Sequence, residues 1–152
     1  MGSIPVGATI FYLRLDMNDQ DIRWKQRFDN FDKAFRRLNE AMSQASLNEL
    51  ERNGMVQRFE LTLELAWKVM KDFLQEQGFV FNPAPKDTFR QAQHARYIDY
   101  AQVLIDGLDI RNTLSHDYSG EKFAASEKVL RNDVFPALAT LHSFFRHQLQ
   151  SS

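Results

Sequence analysis

The stretch MVQRFELTLELAWKVMKDFLQEQ, residues 55–77, decides the fold. Its apolar residues recur at spacings of three and four, which place them on one face of an α-helix. The members of this stripe are Val56, Phe59, Leu63, Ala66, Met70 and Phe73. Gly78 follows, and a glycine directly after a helix commonly ends it in the left-handed conformation. The stretch therefore predicts one long amphipathic helix.

Further apolar residues widen this helix beyond a single stripe: Leu61, Leu65, Trp67, Val69 and Leu74. A helix with so wide an apolar surface is buried on more than one side, or it pairs with a second chain. The sequence does not distinguish these two explanations.

A similar stripe precedes it in the chain: Trp24, Phe28, Phe31, Phe35, Leu38 and Met42. It predicts a long first helix that begins at Asn18 or Asp19, either of which is a fair N-cap. The pair Asn53-Gly54 predicts a break before the helix of residues 55–77, with residues 47–52 as a separate short helical turn.

Downstream, the two prolines of FVFNPAPK, residues 79–86, predict an extended connection. Asp87 or Thr88 is expected to cap a short helix over residues 89–95.

A fourth helix is expected from about Asp99 into the RNTLSH stretch, and a last helix from about Glu121. Pro136 should kink or restart that last helix. No segment longer than a few residues alternates with the period of a strand. The predicted fold is all-α, an up-down four-helix bundle with a short extra helix.

Composition limits the function. A chain of 152 residues suggests one domain. The balance of 19 Lys+Arg against 20 Asp+Glu excludes a broadly basic nucleic-acid coat, so any RNA contact must be local. The chain has no cysteine, which excludes disulfides, thiolate metal sites and a cysteine nucleophile.

The amino-terminal segment has no basic region and no apolar run near the ~20 residues that span a bilayer. We interpret residues 1–17 as a leader or weakly ordered segment, residues 18–150 as the helical domain, and the protein as cytoplasmic, with no membrane partner. Phosphate-loop and dinucleotide-binding glycine motifs are absent. Glu-x-x-His and His-Glu-x-x-His motifs are absent around all four histidines, so we expect no metal and no cofactor: His94, His116, His142 and His147.

The remaining candidate is RNTLSHDYSG, residues 111–120. On a continuous helix, His116 lies about 140° around the axis from Arg111, so the two side chains converge only if the helix frays or tightens before His116. Together they would form a small phosphate-binding cluster that can also move protons near neutral pH. Spacing alone favours an ordinary helix end, with Asn112 as a polar end residue and Tyr118 as a packing residue.

The residues Arg111, His116 and Tyr118 nevertheless form an Arg-x4-His-x-Tyr pattern that resembles the motif of HEPN-domain proteins paired with minimal nucleotidyltransferases, also called nucleotidyltransferase substrate-binding proteins. Residues 57–74, QRFELTLELAWKVMKDFL, resemble that family's QRFEFTFELAWK helix. Residues 27–42 are similar to its first helix and residues 86–92 to the segment before its short helix. The resemblance spans about residues 20–148, and only the amino-terminal segment lacks a counterpart.

The resemblance implies a metal-independent ribonuclease toxin whose antitoxin is a cognate minimal nucleotidyltransferase. By carry-over, Arg111 and His116 would be the catalytic pair and Asn112 would support them. Tyr118 would be the residue to which the antitoxin attaches AMP. The RNA substrate is not specified; a structured RNA such as tRNA is a candidate.

Cleavage through the 2′-hydroxyl requires a base, an acid and cations for the charged phosphorane. One chain offers one histidine in the motif, so we expect a two-fold homodimer that brings two copies of Arg111 and His116 to one groove. Two other interpretations stay open. In the first, the chain is a non-catalytic subunit that binds a substrate or nucleotide for a nucleotidyltransferase; in the second, it is a plain helical dimerisation module.

Overall fold

The computed structural model describes the backbone of residues 6–116 and 120–151, with side chains from residue 23 onward within those ranges. The helices are α1 (Val6–Met42), α2 (Glu49–Glu76), α3 (Pro85–His94), α4 (Ala101–His116), α5 (Glu121–Val129) and α6 (Phe135–Ser151). A π-helical turn, Leu130–Val134, joins α5 to α6 in one continuous helical stretch. The described residues contain no strand. This confirms the predicted all-α bundle of four long helical units with one short helix.

Helix α2 lies at the centre of the bundle and contacts α1, α3, α4 and α6. Every member of its predicted apolar stripe is buried. Of the residues that widen the stripe, Val69 and Leu74 are buried, Leu65 and Trp67 are half-buried, and Leu61 is 51% exposed. Packing inside one chain therefore explains most of the wide apolar surface of α2.

The break predicted at Asn53-Gly54 is wrong, because α2 begins at Glu49 and continues through both residues. Its start is a capping box. The Asn48 side chain accepts a hydrogen bond from the Glu51 amide at 2.8 Å, and the Glu51 carboxylate accepts one from the Asn48 amide at 3.0 Å. These two bonds begin the helix a turn and a half before the glycine, which costs only about 1 kcal/mol in a helix interior.

The predicted start of α1 at Asn18 or Asp19 is also wrong, since the helix begins at Val6 and runs through both residues. Residues 6–17 contain no proline and a single glycine, so nothing in this segment stops a helix. The division into a leader and a domain that begins at residue 18 stays a prediction.

The short helix α3 begins before the predicted caps, with Ala84 as N-cap and Pro85 in its first turn. Proline is favoured there because its missing N–H would have had no partner in the helix. The next helix begins at Ala101 rather than Asp99. Its first amide donates a hydrogen bond to the Gln93 side chain of α3 at 2.9 Å, so α3 caps α4.

The interruption predicted at Pro136 is confirmed as the π-helical turn that precedes it. The Phe135 amide donates to the Leu130 carbonyl, five residues back. Pro136 has no N–H to continue an α-helical ladder, and its ring crowds the carbonyl four residues earlier. Widening the helix by one residue before the proline accommodates both effects.

The π-helical turn packs tightly on α4 at Gly107. A Cβ added there would lie 2.8 Å from Cγ1 of the buried Val134. We expect Gly107→Ala to lower the free energy of unfolding by about 2 kcal/mol through overpacking. Gly54→Ala is the matched control, because a Cβ at this helical glycine meets nothing within 4 Å. It should stabilise by about 0.5 to 1 kcal/mol. Urea unfolding of both variants measures whether the free energy of unfolding falls in Gly107→Ala and rises in Gly54→Ala.

A buried histidine joins α6 to α1. His142 is 7% exposed, its Nε2 lies 2.7 Å from Oδ1 of Asp32, and its ring stacks on Phe35 at a centroid distance of 4.6 Å. Burial alone would raise the pKa of Asp32. The hydrogen bonds from His142 and Arg36, together with their charges, outweigh burial and lower the pKa of Asp32 below its ordinary value of 3.8.

Because the pKa of Asp32 is lower in the folded chain than in the unfolded chain, its contribution to stability is present above pH 4 or so and is lost as the pH falls through the folded value. We expect Asp32→Asn to flatten the fall in the free energy of unfolding between about pH 5 and pH 2. Urea unfolding across this range measures the slope. An unchanged slope would show that other carboxylates carry the acid sensitivity.

Candidate functional site

The residues singled out in the sequence lie at the end of α4. Leu114 is fully buried and anchors this end in the core. Arg111 is half-buried, whereas Asn112 and His116 are exposed. Tyr118 lies outside the residues that the structure describes.

Two contacts hold the end of α4 against α2. Nη1 of Arg111 lies 3.9 Å from Oε2 of Glu64. One turn further along α4, the Ser115 hydroxyl contacts the Glu60 carboxylate and lies 2.8 Å from the Arg111 carbonyl oxygen. The two helices run antiparallel here, because residue numbers rise along one as they fall along the other. Arg111 is thus positioned by side chains that lie about fifty residues earlier in the chain.

Glu64 makes several contacts at once. Its Oε2 accepts a hydrogen bond from the Trp67 indole N–H at 3.0 Å, and its Oε1 lies 3.0 Å from the Lys68 ammonium. Partial burial alone would raise the pKa of Glu64. The hydrogen bonds from Trp67 and Lys68, and the charges of Lys68 and Arg111, outweigh burial and lower the pKa of Glu64. The carboxylate is therefore charged and pairs with both cations.

The structure does not bring Arg111 and His116 together within one chain. Helix α4 is unbroken through His116, so the fraying that their convergence required does not occur. Five residues of regular helix set their side chains about 140° apart around the axis. Arg111 turns towards α2, and His116 is exposed at the last position of α4.

Sequence reasoning missed the residues of α2 that complete this region: Glu60, Glu64 and Lys68. A signal for two of them was available. Glu60 and Glu64 are four residues apart on α2, and Arg111 and Ser115 are four residues apart on α4. Pairs at this spacing lie one turn apart on one face, so antiparallel helices can match them two by two.

Among the described residues, no group of three or more His, Asp or Glu side chains is arranged to hold a metal ion. In that same part of the chain, every helix is too short or too polar to cross a bilayer.

Comparisons with known proteins agree with this fold and with the sequence resemblance. The chain is similar to a protein from Thermus thermophilus of known crystal structure, with 25% identity and a TM-score of 0.64. That alignment covers 78% of this chain and 98% of the other. No curated protein matches. The family model described as "Nucleotidyltransferase substrate binding protein like" matches residues 26–147. The chain therefore belongs to the nucleotidyltransferase substrate-binding-protein-like family, as the resemblance indicated.

Proposed function

We propose that this chain is the ribonuclease toxin of a toxin–antitoxin pair. It cleaves RNA without a metal at a composite site formed by two copies of Arg111 and His116, with Asn112 beside them. A partner nucleotidyltransferase neutralises it by attaching AMP to Tyr118.

The observation that supports this proposal is the separation of Arg111 and His116 on one unbroken helix. Arg111 is held on α2 by Glu64, and His116 is exposed at the helix end. A single chain therefore does not direct both side chains at one phosphate. A two-fold dimer with the ends of α4 facing each other supplies a histidine from each copy, together with both arginines.

In this arrangement a neutral His116 accepts the proton of the RNA 2′-hydroxyl as its oxygen attacks the adjacent phosphorus. The bond from phosphorus to the 5′-oxygen breaks, and the protonated His116 of the other copy gives that oxygen a proton. The products are a 2′,3′-cyclic phosphate and a 5′-hydroxyl. The Arg111 guanidinium stabilises the charge that develops on the phosphoryl oxygens. Histidine suits both proton transfers because it titrates near neutral pH.

Neutralisation follows from the position of Tyr118, two residues beyond His116. Its hydroxyl oxygen would attack the α-phosphate of ATP bound to the partner, forming an AMP ester and releasing pyrophosphate. The added phosphate places a negative charge where RNA phosphate must bind, and it competes for Arg111. Intact-mass analysis of the chain co-expressed with its partner should show the mass of AMP, which Tyr118→Phe should abolish. An unmodified Tyr118 in a complex that no longer cleaves RNA would contradict this route.

The test of the proposed activity is a denaturing gel of tRNA and total RNA incubated with purified protein in EDTA. The protein should first be shown free of AMP by intact mass. Cleavage in EDTA is the expected result. Its absence would favour the second candidate, a subunit that binds a substrate or nucleotide for a nucleotidyltransferase. The half-buried Arg111 supports that candidate, because a phosphate site centred on this one guanidinium needs no second chain.

A further inference from the structure

Trp67 lies beside the proposed site, with two lysine side chains near its ring. The ammonium groups of Lys68 and Lys71 lie 6.0 and 5.7 Å from the centroid of its half-buried ring. The indole N–H donates to Glu64, the same carboxylate that pairs with Arg111. We name these five residues the tryptophan cluster.

The tryptophan cluster contains three cations and one carboxylate, a formal charge of +2 in a chain whose formal net charge is −1. Outside the cluster, the buried Asp72 carboxylate lies 3.9 Å from the Lys71 ammonium. The sequence required any RNA contact to be local, and this cluster is local. An aromatic ring flanked by cations is the arrangement that binds single-stranded nucleic acid without sequence preference, because bases stack on the ring while the cations bind phosphates.

The distance between Trp67 and Arg111 also agrees with the size of a nucleotide. Trp67 Nε1 and Arg111 Nη1 both lie near Oε2 of Glu64, at 3.0 and 3.9 Å, so the two nitrogens are within about 7 Å of each other. A base on the Trp67 ring and a phosphate on Arg111 would thus belong to the same or adjacent nucleotides. The Lys68 and Lys71 ammonium groups, on flexible four-carbon stems, can move from the ring to the flanking phosphates.

We infer that Trp67 is a base-stacking subsite for single-stranded RNA, with Lys68 and Lys71 as its phosphate contacts. The inference rests on the proposed function for the position of the RNA. Its ligand is defined by chemistry: an unpaired nucleobase with phosphates on either side. Trp67 is a positioning residue, and it places the RNA backbone next to Arg111.

Two substitutions separate the effect of the aromatic ring of Trp67 from that of its hydrogen bond. Trp67→Phe and Trp67→Leu both remove the hydrogen bond to Glu64, but only Trp67→Leu removes the aromatic surface. Each is made in a His116→Ala background so that the RNA stays intact, and urea unfolding checks that both fold. The probe is a short fluorescein-labelled oligoadenylate, measured by fluorescence anisotropy. Stacking contributes about 1 to 3 kcal/mol per base, so Trp67→Leu should bind about 5- to 160-fold more weakly than Trp67→Phe.

Tryptophan fluorescence provides a second measurement that needs no substitution at Trp67. The chain has two tryptophans, and Trp24 is 2% exposed. Unlabelled oligoadenylate should quench the emission of the His116→Ala protein, and heparin, a polyanion without bases, should not.

Equal affinity of the Phe and Leu variants, or equal quenching by heparin, would overturn the inference. These outcomes separate it from the proposed function. If the Phe and Leu variants differ in affinity but the wild-type protein cuts no RNA, the stacking subsite is supported and the ribonuclease activity is contradicted. If the wild-type protein cuts RNA in EDTA but the Phe and Leu variants bind equally, the ribonuclease activity is supported and the stacking subsite is contradicted.

Discussion

His116→Ala should lower the rate of RNA cleavage by about 100- to 10,000-fold, the usual contribution of a positioned general acid or base. His94→Ala should leave the rate unchanged. The two histidines are closely matched, because each is the exposed last residue of a helix, α3 for His94 and α4 for His116. They differ in their neighbours, since only His116 follows Arg111 on its helix.

Initial rates on a single tRNA substrate, in EDTA and at several pH values, measure this effect. The wild-type rate should rise and then fall with pH, because one histidine must be neutral and the other protonated. The His116→Ala protein should retain RNA binding, which separates lost chemistry from lost substrate. Wild-type activity in both variants would contradict the assignment. Equal loss in both would point to an effect of the substitutions on folding.

Much of the fold could be predicted because the apolar residues that become buried recur at regular intervals along the sequence. The stripes of α1 and α2 follow helical spacing, and most of their members form the core, with Phe35 and Met42 packed against it. Helix boundaries were harder, since they depend on a few local hydrogen bonds. Asn48 and Glu51 do form a recognisable capping-box pattern, but the Asn53-Gly54 pair shortly after it is a stronger turn signal by composition. Two bonds in the capping box outweighed that signal.

The candidate site was less predictable, because its contacts cross the chain. The spacing of Arg111 and His116 gave their angular separation, but only the fold shows that α4 stays regular through His116. The contact between Arg111 and Glu64 joins residues on different helices, and no periodicity within α4 reports it. The tryptophan cluster was hidden for a related reason. Trp67 counted as one more apolar residue on α2. Glu64, Lys68 and Lys71 lie near it on the same helix, but the approach of Arg111 emerges only from the packed helices.

The largest effect on stability is expected where α1 meets α2. Asp72 is 3% exposed, and the Arg27 guanidinium donates a hydrogen bond to its carboxylate. The Lys71 ammonium lies 3.9 Å from the same carboxylate. Arg27→Met keeps an apolar stem over the core but leaves Asp72 buried with one distant cation. We expect it to lower the free energy of unfolding by about 3 kcal/mol, the lower end of the cost of breaking a buried pair.

Substitution of Asp72, the other partner of this ion pair, should lower the free energy of unfolding by less. Without Asp72, the Arg27 side chain, which is 34% exposed, can turn its charge towards water. Asp72→Leu is therefore expected to lower the free energy of unfolding by about 1 kcal/mol, and the double variant Arg27→Met, Asp72→Leu to recover most of the loss caused by Arg27→Met. Urea unfolding of the four proteins gives the coupling energy directly. Additive losses would show that the two side chains stabilise the chain independently. The cost of Arg27→Met would then come from its packing on α1 and α2 rather than from a stranded carboxylate.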